Sequence, residues 1–104
     1  MESTMQAAKR DYSQKIEYTC ARIEHIGYHS RIPLPWEQMM IRFDWGGYQV
    51  EWWGDRAERA VRELGLQEGE WVKIVRAWIN VYPHANTPGE SYRTLRNVTI
   101  TRVA

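Results

Sequence analysis

The chain has 104 residues, enough for one domain with a single hydrophobic core but too few for two. It is 43% hydrophobic and 26% charged with a net charge of +1, which is ordinary for a soluble globular protein. The single cysteine, Cys20, excludes an internal disulfide, and the sequence contains no apolar run of membrane-spanning length and no secretory signal. We therefore expect a cytoplasmic protein with no membrane partner.

The first part of the chain is predicted to be a flexible lead followed by a bent strand. Residues 1–14 are polar and without a period, so the folded domain is expected at 15–104. The first strand is predicted at Lys15–Ile26, and its apolar pattern slips by one residue near Ala21, which indicates a β-bulge. We expect the buried face to carry Ile16, Tyr18 and Cys20 before the slip and Ile23 after it. An extended connection is predicted at Gly27–Glu37.

The stretch 39–53 predicts a β-hairpin with a two-residue turn. Bulky apolar residues alternate with other residues from Met39 to Trp45, the period of a strand with one buried face. Gly46 and Gly47 tolerate positive φ at both central positions of a tight turn. That turn puts the large side chains on one buried face, pairing Trp45 with Tyr48, Phe43 with Val50 and Ile41 with Trp52. The outward pairs are then Arg42 with Glu51 and Met40 with Trp53, which leaves the Trp53 indole on the solvent side.

A short amphipathic helix is predicted after Gly54. Asp55 is the candidate N-cap, Glu58 completes a capping box, and Gly65 suits the left-handed residue that ends a helix. The apolar positions between these ends recur at the spacing of one helix face, namely Ala57, Ala60, Val61 and Leu64. This face is expected to lie on the core.

Two further strands complete the predicted fold. Trp71–Val81 is dense in Val, Ile and Trp, and a cluster of turn residues at Pro83–Glu90 joins it to a last strand at Ser91–Val103. The register of the last strand stays open because its apolar residues occupy both parities. The order of elements predicts an all-β fold, a five-stranded OB-fold barrel with one short helix between strands 3 and 4.

The sequence contains no recognisable pattern for catalysis, cofactor binding or metal binding. Because neither a nucleophile beside a base nor a pair of carboxylates in a pocket can be picked out, we expect no enzymatic activity, no cofactor and no small-molecule substrate. His25 and His29 are four residues apart, a spacing that brings two imidazoles together on a helix. Gly27 and the strand pattern disfavour a helix there, so we expect ordinary histidines at the rim of the barrel and no metal.

The aromatic content and a local basic excess favour single-stranded nucleic acid as the ligand. The chain has six Trp and six Tyr against one Phe, and residues 70–104 carry five basic but two acidic side chains. Bases stack on exposed rings while basic groups follow the phosphates. The candidate contacts are Arg42, Trp53, Trp71, Lys73, Tyr82, Arg93 and Arg96. Arg42 is expected to pair with Glu51 across the hairpin, which lowers the positive potential there.

Residues 50–74 carry a spaced series of aromatic, small and apolar positions, which are Trp53-Gly54, Ala57-Glu58, Ala60, Leu64, Gly69, Val72 and Ile74, with Tyr92 and Thr94 further on. This series resembles the third strand, the helix, the fourth strand and the start of the last strand of bacterial single-stranded DNA-binding proteins. The resemblance implies an OB fold, a DNA-stacking role for Trp53, and a place for Tyr82 near a second stacking aromatic.

The chain departs from that family at three places. Gly46-Gly47 replaces a long loop, Arg76 replaces a glycine, and no acidic tail follows Arg102. In plan the chain is therefore similar to tail-less primosomal relatives and to small phage or plasmid versions. We expect no recruitment of partner enzymes through a tail.

The expected function is non-enzymatic, largely sequence-independent binding of single-stranded DNA in replication, repair or recombination. A homo-oligomer that assembles through its first strand or sheet would cover an edge and join weak sites into one path. The alternative is an OB-type protein-interaction module of a primosome or replication complex, which Glu51 and the near-neutral charge favour. Binding of RNA stays open, because stacking platforms accept any base.

Overall fold

A computed structural model of the protein describes residues 12–30, 34–83 and 91–103. These ranges contain five strands and one helix in the order β1 (Tyr12–Ser30), β2 (Glu37–Trp45), β3 (Tyr48–Trp53), α1 (Asp55–Leu64), β4 (Trp71–Pro83) and β5 (Ser91–Arg102). The strands form a closed barrel in the order β1-β2-β3-β5-β4, and every neighbouring pair is antiparallel except β3 with β5. The predicted all-β, five-stranded OB-like barrel with one short helix between β3 and β4 is confirmed.

Several sequence predictions lie wholly or partly outside the described residues. These include residues 1–11 of the predicted lead and residues 84–90 of the turn between β4 and β5. Residues 12–14, also assigned to the lead, belong to β1 and pair with β4. β1 continues as far as Ser30, so the predicted connection is shorter at its start. Within the described part of the chain, no helix is long and apolar enough to cross a membrane.

The hairpin of β2 and β3 has the predicted register. Gly46 and Gly47 have φ of 60° and 91°, and Asp44 Oδ1 accepts a hydrogen bond from the Gly47 N–H at 3.0 Å. The side chains of Ile41, Phe43 and Val50 are completely buried, and Trp52 is 6% exposed. All five predicted cross-strand pairs are present, among them Arg42 with Glu51 and Met40 with Trp53, but Met40, which was predicted to face solvent, is 2% exposed. The turn therefore sends Ile41, Phe43, Val50 and Trp52 into the barrel, whereas Tyr48, predicted on the same buried face, is 51% exposed next to the turn.

β1 changes parity at Tyr18 rather than near Ala21. Tyr18 has φ of 50°, a left-handed conformation that is uncommon outside glycine, and the inward positions shift across it from Ile16 to Ala21 and Ile23. Because the shift comes before Cys20, both Tyr18 and Cys20 are exposed. The prediction that these two side chains join the core is therefore wrong.

Helix α1 begins after Gly54, which takes the N-cap position instead of Asp55. Gly54 has φ of 112° and donates its N–H to the carbonyl oxygen of Met39 at 2.9 Å, and within the described chain no side chain caps this end. The predicted capping box is wrong because Gly54 takes the chain straight from β3 into the helix, so Asp55 is already helical. Gly65 ends the helix in the left-handed conformation, as predicted. The predicted apolar face lies on the core: Ala57 is buried, and partly buried side chains pack beside it from Ala60, Val61 and Leu64.

Two side chains tie α1 to the barrel. The Tyr28 hydroxyl of β1 donates to Glu58 Oε2 at 2.6 Å, and this hydrogen bond raises the pKa of Tyr28 above its usual range. Arg102 of β5 donates to the carbonyl oxygen of Leu64 and pairs with Glu70 at 2.8 Å. These contacts hold the helix across the end of the barrel.

Two bulges settle the register between β4 and β5. Val75 is an extra residue on β4, and a second irregularity lies where Asn97 of β5 has φ of 53°. Before the first bulge the even-numbered side chains of β4 point into the barrel, and after it the odd-numbered ones do. Ala77 is therefore buried, whereas Trp71 is exposed. The second explains why the apolar residues of β5 occupy both parities.

The left-handed backbone conformation at position 18 is costly for tyrosine but not for glycine. Because the exposed Tyr18 ring contributes little packing, its removal should cost little stability. We expect Tyr18→Gly to leave the free energy of unfolding unchanged or to raise it by up to about 1 kcal/mol. The matched control Tyr18→Val places a β-branched residue there and should lower it by about 1–2 kcal/mol. Urea unfolding measures both values. A glycine variant less stable than the valine variant would show that Tyr18 does not adopt this backbone conformation.

Candidate nucleic-acid interface

Outward side chains of β4 and its two neighbours form a row of rings and cations along the barrel. The cross-strand pairs Tyr82 with Tyr92 and Trp78 with Arg96 extend the row onto β5, and the pair of Trp71 with Arg22 extends it onto β1. We call this surface the β4 face and define it by Tyr18, Arg22, Trp71, Lys73, Arg76, Trp78, Tyr82, Tyr92 and Arg96.

The rings of the β4 face offer flat surfaces at three levels of the strand. Trp71 is 54% exposed at the start of β4. The Arg96 guanidinium lies over the Trp78 ring, 5.5 Å from its centroid. At the far end Tyr82 and Tyr92 stack, with centroids 5.4 Å apart and planes inclined by 29°. A chain of bases running along β4 meets an aromatic group at each of these levels.

The cations of this face are not tied to carboxylates. Within residues 12–30, 34–83 and 91–103, no ion pair joins Arg22, Lys73, Arg76 or Arg96 to an acidic side chain. The acid across the ladder from Arg76 is Glu17, and that carboxylate pairs with Lys15 at 3.4 Å. The face therefore keeps a net positive charge that phosphate groups would neutralise.

Tyr18 is a member of the β4 face that sequence reasoning missed. It is 73% exposed and lines a shallow cleft of about 210 Å³ with Arg76 and Thr99. A strained backbone that holds a large ring in solvent gains no burial, and such strain concentrates at functional positions. The parity change in the β1 sequence is the available signal, but the apolar pattern predicts it near Ala21, three residues after Tyr18.

Arg42 and Trp53 lie on a different part of the surface, where β2 and β3 face outward. Arg42 Nη2 is 3.5 Å from Glu51 Oε2, as the sequence predicted, and the Trp53 indole N–H donates to Glu51 Oε1 at 3.0 Å. The Trp53 ring also meets His29 edge-on, with centroids 6.3 Å apart. Trp53 is thus half-buried on the outside of the barrel, and a carboxylate stands between it and the nearest predicted cation.

Arg93 occupies a third location at the mouth of the barrel. It pairs with Val81, and its guanidinium lies 4.3 Å from the centroid of the Tyr48 ring. Both side chains border a cleft of about 430 Å³ whose walls include Trp45 and Ile79. The structure therefore brings four of the seven predicted contacts together on one surface, namely Trp71, Lys73, Tyr82 and Arg96.

Comparison with protein-family models, curated proteins and solved structures finds no match to this chain. The candidate interface rests on the geometry described above.

Arg76 and Trp78 are the residues of β4 that the sequence analysis did not select. A strand that alternates strictly from Trp71 would direct even-numbered side chains inward. The Val75 bulge reverses that parity, so Arg76 and Trp78 reach the surface while Ile79 is 2% exposed. No local sequence signal marks this bulge.

Proposed function

We propose that the protein binds single-stranded DNA without catalysing a reaction, by stacking bases on the rings of the β4 face and neutralising phosphates with its cations. The observation that carries the proposal is that Lys73, Arg76 and Arg96 lack carboxylate partners among the described residues and share one face with the exposed rings of Tyr18, Trp71 and Tyr92. The OB-like barrel and the resemblance to bacterial single-stranded DNA-binding proteins add support. Such binding is largely independent of sequence, because every base has a stacking surface.

The β2–β3 surface has a smaller role in this proposal. Trp53 corresponds to the stacking aromatic of the resembling family, but Glu51 accepts its indole N–H and also faces Arg42. A carboxylate beside a stacked base repels the phosphates that flank it. We therefore assign the main DNA contact to the β4 face. Trp53 and Arg42 make a weaker, additional contact with the bound strand.

We also propose a homo-oligomer that pairs through β1. Tyr12–Ala21 pairs with β4 alone and keeps one edge without a strand partner among the described residues. The corresponding edge of Ile23–Ser30 is partly covered, because Ile23 and Ile26 hydrogen-bond to residues 68–70. Edges of this kind are sites of strand addition between chains. Sedimentation velocity should show a species larger than one 12.4 kDa chain at micromolar concentration, and a single monomeric species would contradict the proposal.

A protein-interaction module is the second candidate function. The Arg42, Glu51 and Trp53 cluster favours it, because its internal ion pair and hydrogen bond leave that surface with little positive charge. If this second candidate is correct, the protein forms no complex with nucleic acid, and the variants described below have no effect on DNA binding.

The salt dependence of DNA binding tests the role of the cations. If Lys73, Arg76 and Arg96 each meet one phosphate, the logarithm of the affinity for poly-dT should fall against the logarithm of salt with a slope of about −2. Lys73→Ala should reduce the slope by about 0.7, while the control Lys15→Ala, whose ammonium already pairs with Glu17, should change it less. Fluorescence anisotropy of labelled oligonucleotides measures the slopes. Equal affinity for poly-U would extend the ligand class to RNA, and no binding at low salt would refute the proposal.

Two tryptophans of similar exposure test the location of the interface. Trp71→Ala should weaken binding to oligo-dT by about 1–3 kcal/mol, the contribution of one stacked base, with little loss of stability because the ring is 54% exposed. The control Trp36→Ala removes a ring that is 57% exposed before β2, outside the β4 face, and should leave affinity unchanged. Trp53→Ala should have an effect smaller than that of Trp71→Ala. A larger loss of affinity in Trp53→Ala than in Trp71→Ala would show that the main contact lies on β2 and β3.

A further inference from the structure

The two histidines of β1 meet although they belong to a strand. Four residues of extended chain span about 13 Å, so side chains at these positions are usually well separated. Here the Nε2 atoms of His25 and His29 lie 2.8 Å apart, with ring centroids 4.9 Å apart. The two side chains therefore meet without the helix that this spacing usually requires.

Gly27 makes this approach possible. It lies between the two histidines, and a Cβ atom built on it would stand 3.0 Å from His25 Nε2 and 3.4 Å from His29 Nε2. The two imidazoles therefore lean toward each other across the space that a side chain at position 27 would fill. An irregularity in the pairing of β1 with β2, between Ile23 and His25, adjusts the strand just before this point.

Glu68 orients one of the two rings. Its Oε2 atom lies 3.2 Å from His25 Nδ1 and accepts the backbone N–H of Ile26 at 3.0 Å, which fixes the carboxylate against β1. A proton on Nδ1 directed at Glu68 leaves the Nε2 lone pair of neutral His25 directed at His29. A carboxylate behind an imidazole in this way is a common outer-shell arrangement at metal sites, because it fixes the tautomer and makes the ligand more basic.

We propose that His25 and His29 form a binding site for one divalent late transition metal ion, with Glu68 as the positioning residue. The two Nε2 atoms are the protein ligands. No group of three or more His, Cys, Asp or Glu side chains suited to a metal occurs in the described ranges, so water completes the coordination. In the absence of metal the two imidazoles form one N–H···N hydrogen bond between their Nε2 atoms. When the ion binds, the proton that lay between them moves to Nδ1 of His29, so that both Nε2 lone pairs are free to coordinate.

The separation of the two nitrogens indicates which ions fit. With metal–nitrogen bonds of about 2.0–2.1 Å, two imidazoles stand about 2.9 Å apart at a right angle and about 3.3 Å apart at a tetrahedral angle. The observed 2.8 Å is the length of an N–H···N hydrogen bond, so Cu²⁺ and Ni²⁺, which prefer right angles, need the nitrogens to separate by only about 0.1 Å, whereas Zn²⁺ requires the rings to open by about half an ångström. We expect Cu²⁺ to bind more tightly than Ni²⁺ or Zn²⁺.

Metal titration of the full chain, without nucleic acid, tests this proposal. Cu²⁺, Ni²⁺ and Zn²⁺ are added to chelator-treated protein in a buffer that does not bind metals, and equilibrium dialysis with elemental analysis gives the stoichiometry and the affinity. We expect one ion per chain. Trp53 lies against His29, so Cu²⁺ should also quench its fluorescence, and this part of the quenching should disappear in Trp53→Phe.

Variants separate the paired site from scattered metal binding. His25→Ala, His29→Ala and Gly27→Ala should each weaken Cu²⁺ binding at least tenfold, and Glu68→Ala should weaken it by about 10–100-fold. Gly27→Ala is the decisive variant, because it retains both histidines and fills only the space between them. His84→Ala and Cys20→Ser are the controls and should bind as the parent chain does. Circular dichroism confirms that each variant keeps its fold.

The proposal is overturned by any of three results. These are an absence of saturable binding for all three ions, unchanged binding in Gly27→Ala and the two histidine variants, or loss of binding in the His84 or Cys20 control. None of these measurements uses DNA, so the metal site and the nucleic-acid interface succeed or fail independently.

Discussion

The tight turn at Gly46 and Gly47 is the constraint on which the rest of the barrel depends. Both residues have positive φ, which glycine adopts at little cost, and the turn admits one register between β2 and β3. A slip of one position would bring Phe43 and Val50 to the surface and send Arg42 and Glu51 into the core. Burial of the large side chains therefore enforces the register, and the register in turn determines which polar groups the outer surface presents.

Bulges then decide how the outer surface is composed. At Tyr18, Val75 and Asn97 the strands depart from strict alternation, and the inward parity changes there in β1, β4 and β5. Each change keeps the core continuous while it turns a different set of side chains outward. Arg76 reaches the surface of β4 in this way, beside the exposed Tyr18 ring. The curvature that a small barrel needs is thus also what assembles the rings and cations of the β4 face.

Charge distinguishes the two parts of the surface that carry predicted contacts. On β2 and β3 the carboxylate of Glu51 is shared between a guanidinium and an indole, so little positive potential extends from that region. On the β4 face, cations share one surface with exposed rings, and the carboxylate of Glu17 is engaged by Lys15. The histidine pair lies at the edge of the first region, next to Trp53. A divalent ion held there would offset the charge of Glu51 on the otherwise neutral part of the surface.

The sequence by itself determined the order of elements, the hairpin with five of its cross-strand pairs, the left-handed end of α1 and the pairing of Arg42 with Glu51. These features follow from local rules, since turn chemistry and side-chain alternation act over a few residues. Only the tertiary structure decided at which residues the bulges of β1 and β4 fall, because an extra residue is tolerated where it lets a strand bend around the core: the sequence pattern of β1 indicates a bulge but not its position, and no local preference marks Val75. It also decided that His25 and His29 meet across Gly27, because the space above a glycine is filled by whatever the curvature of the strand brings there.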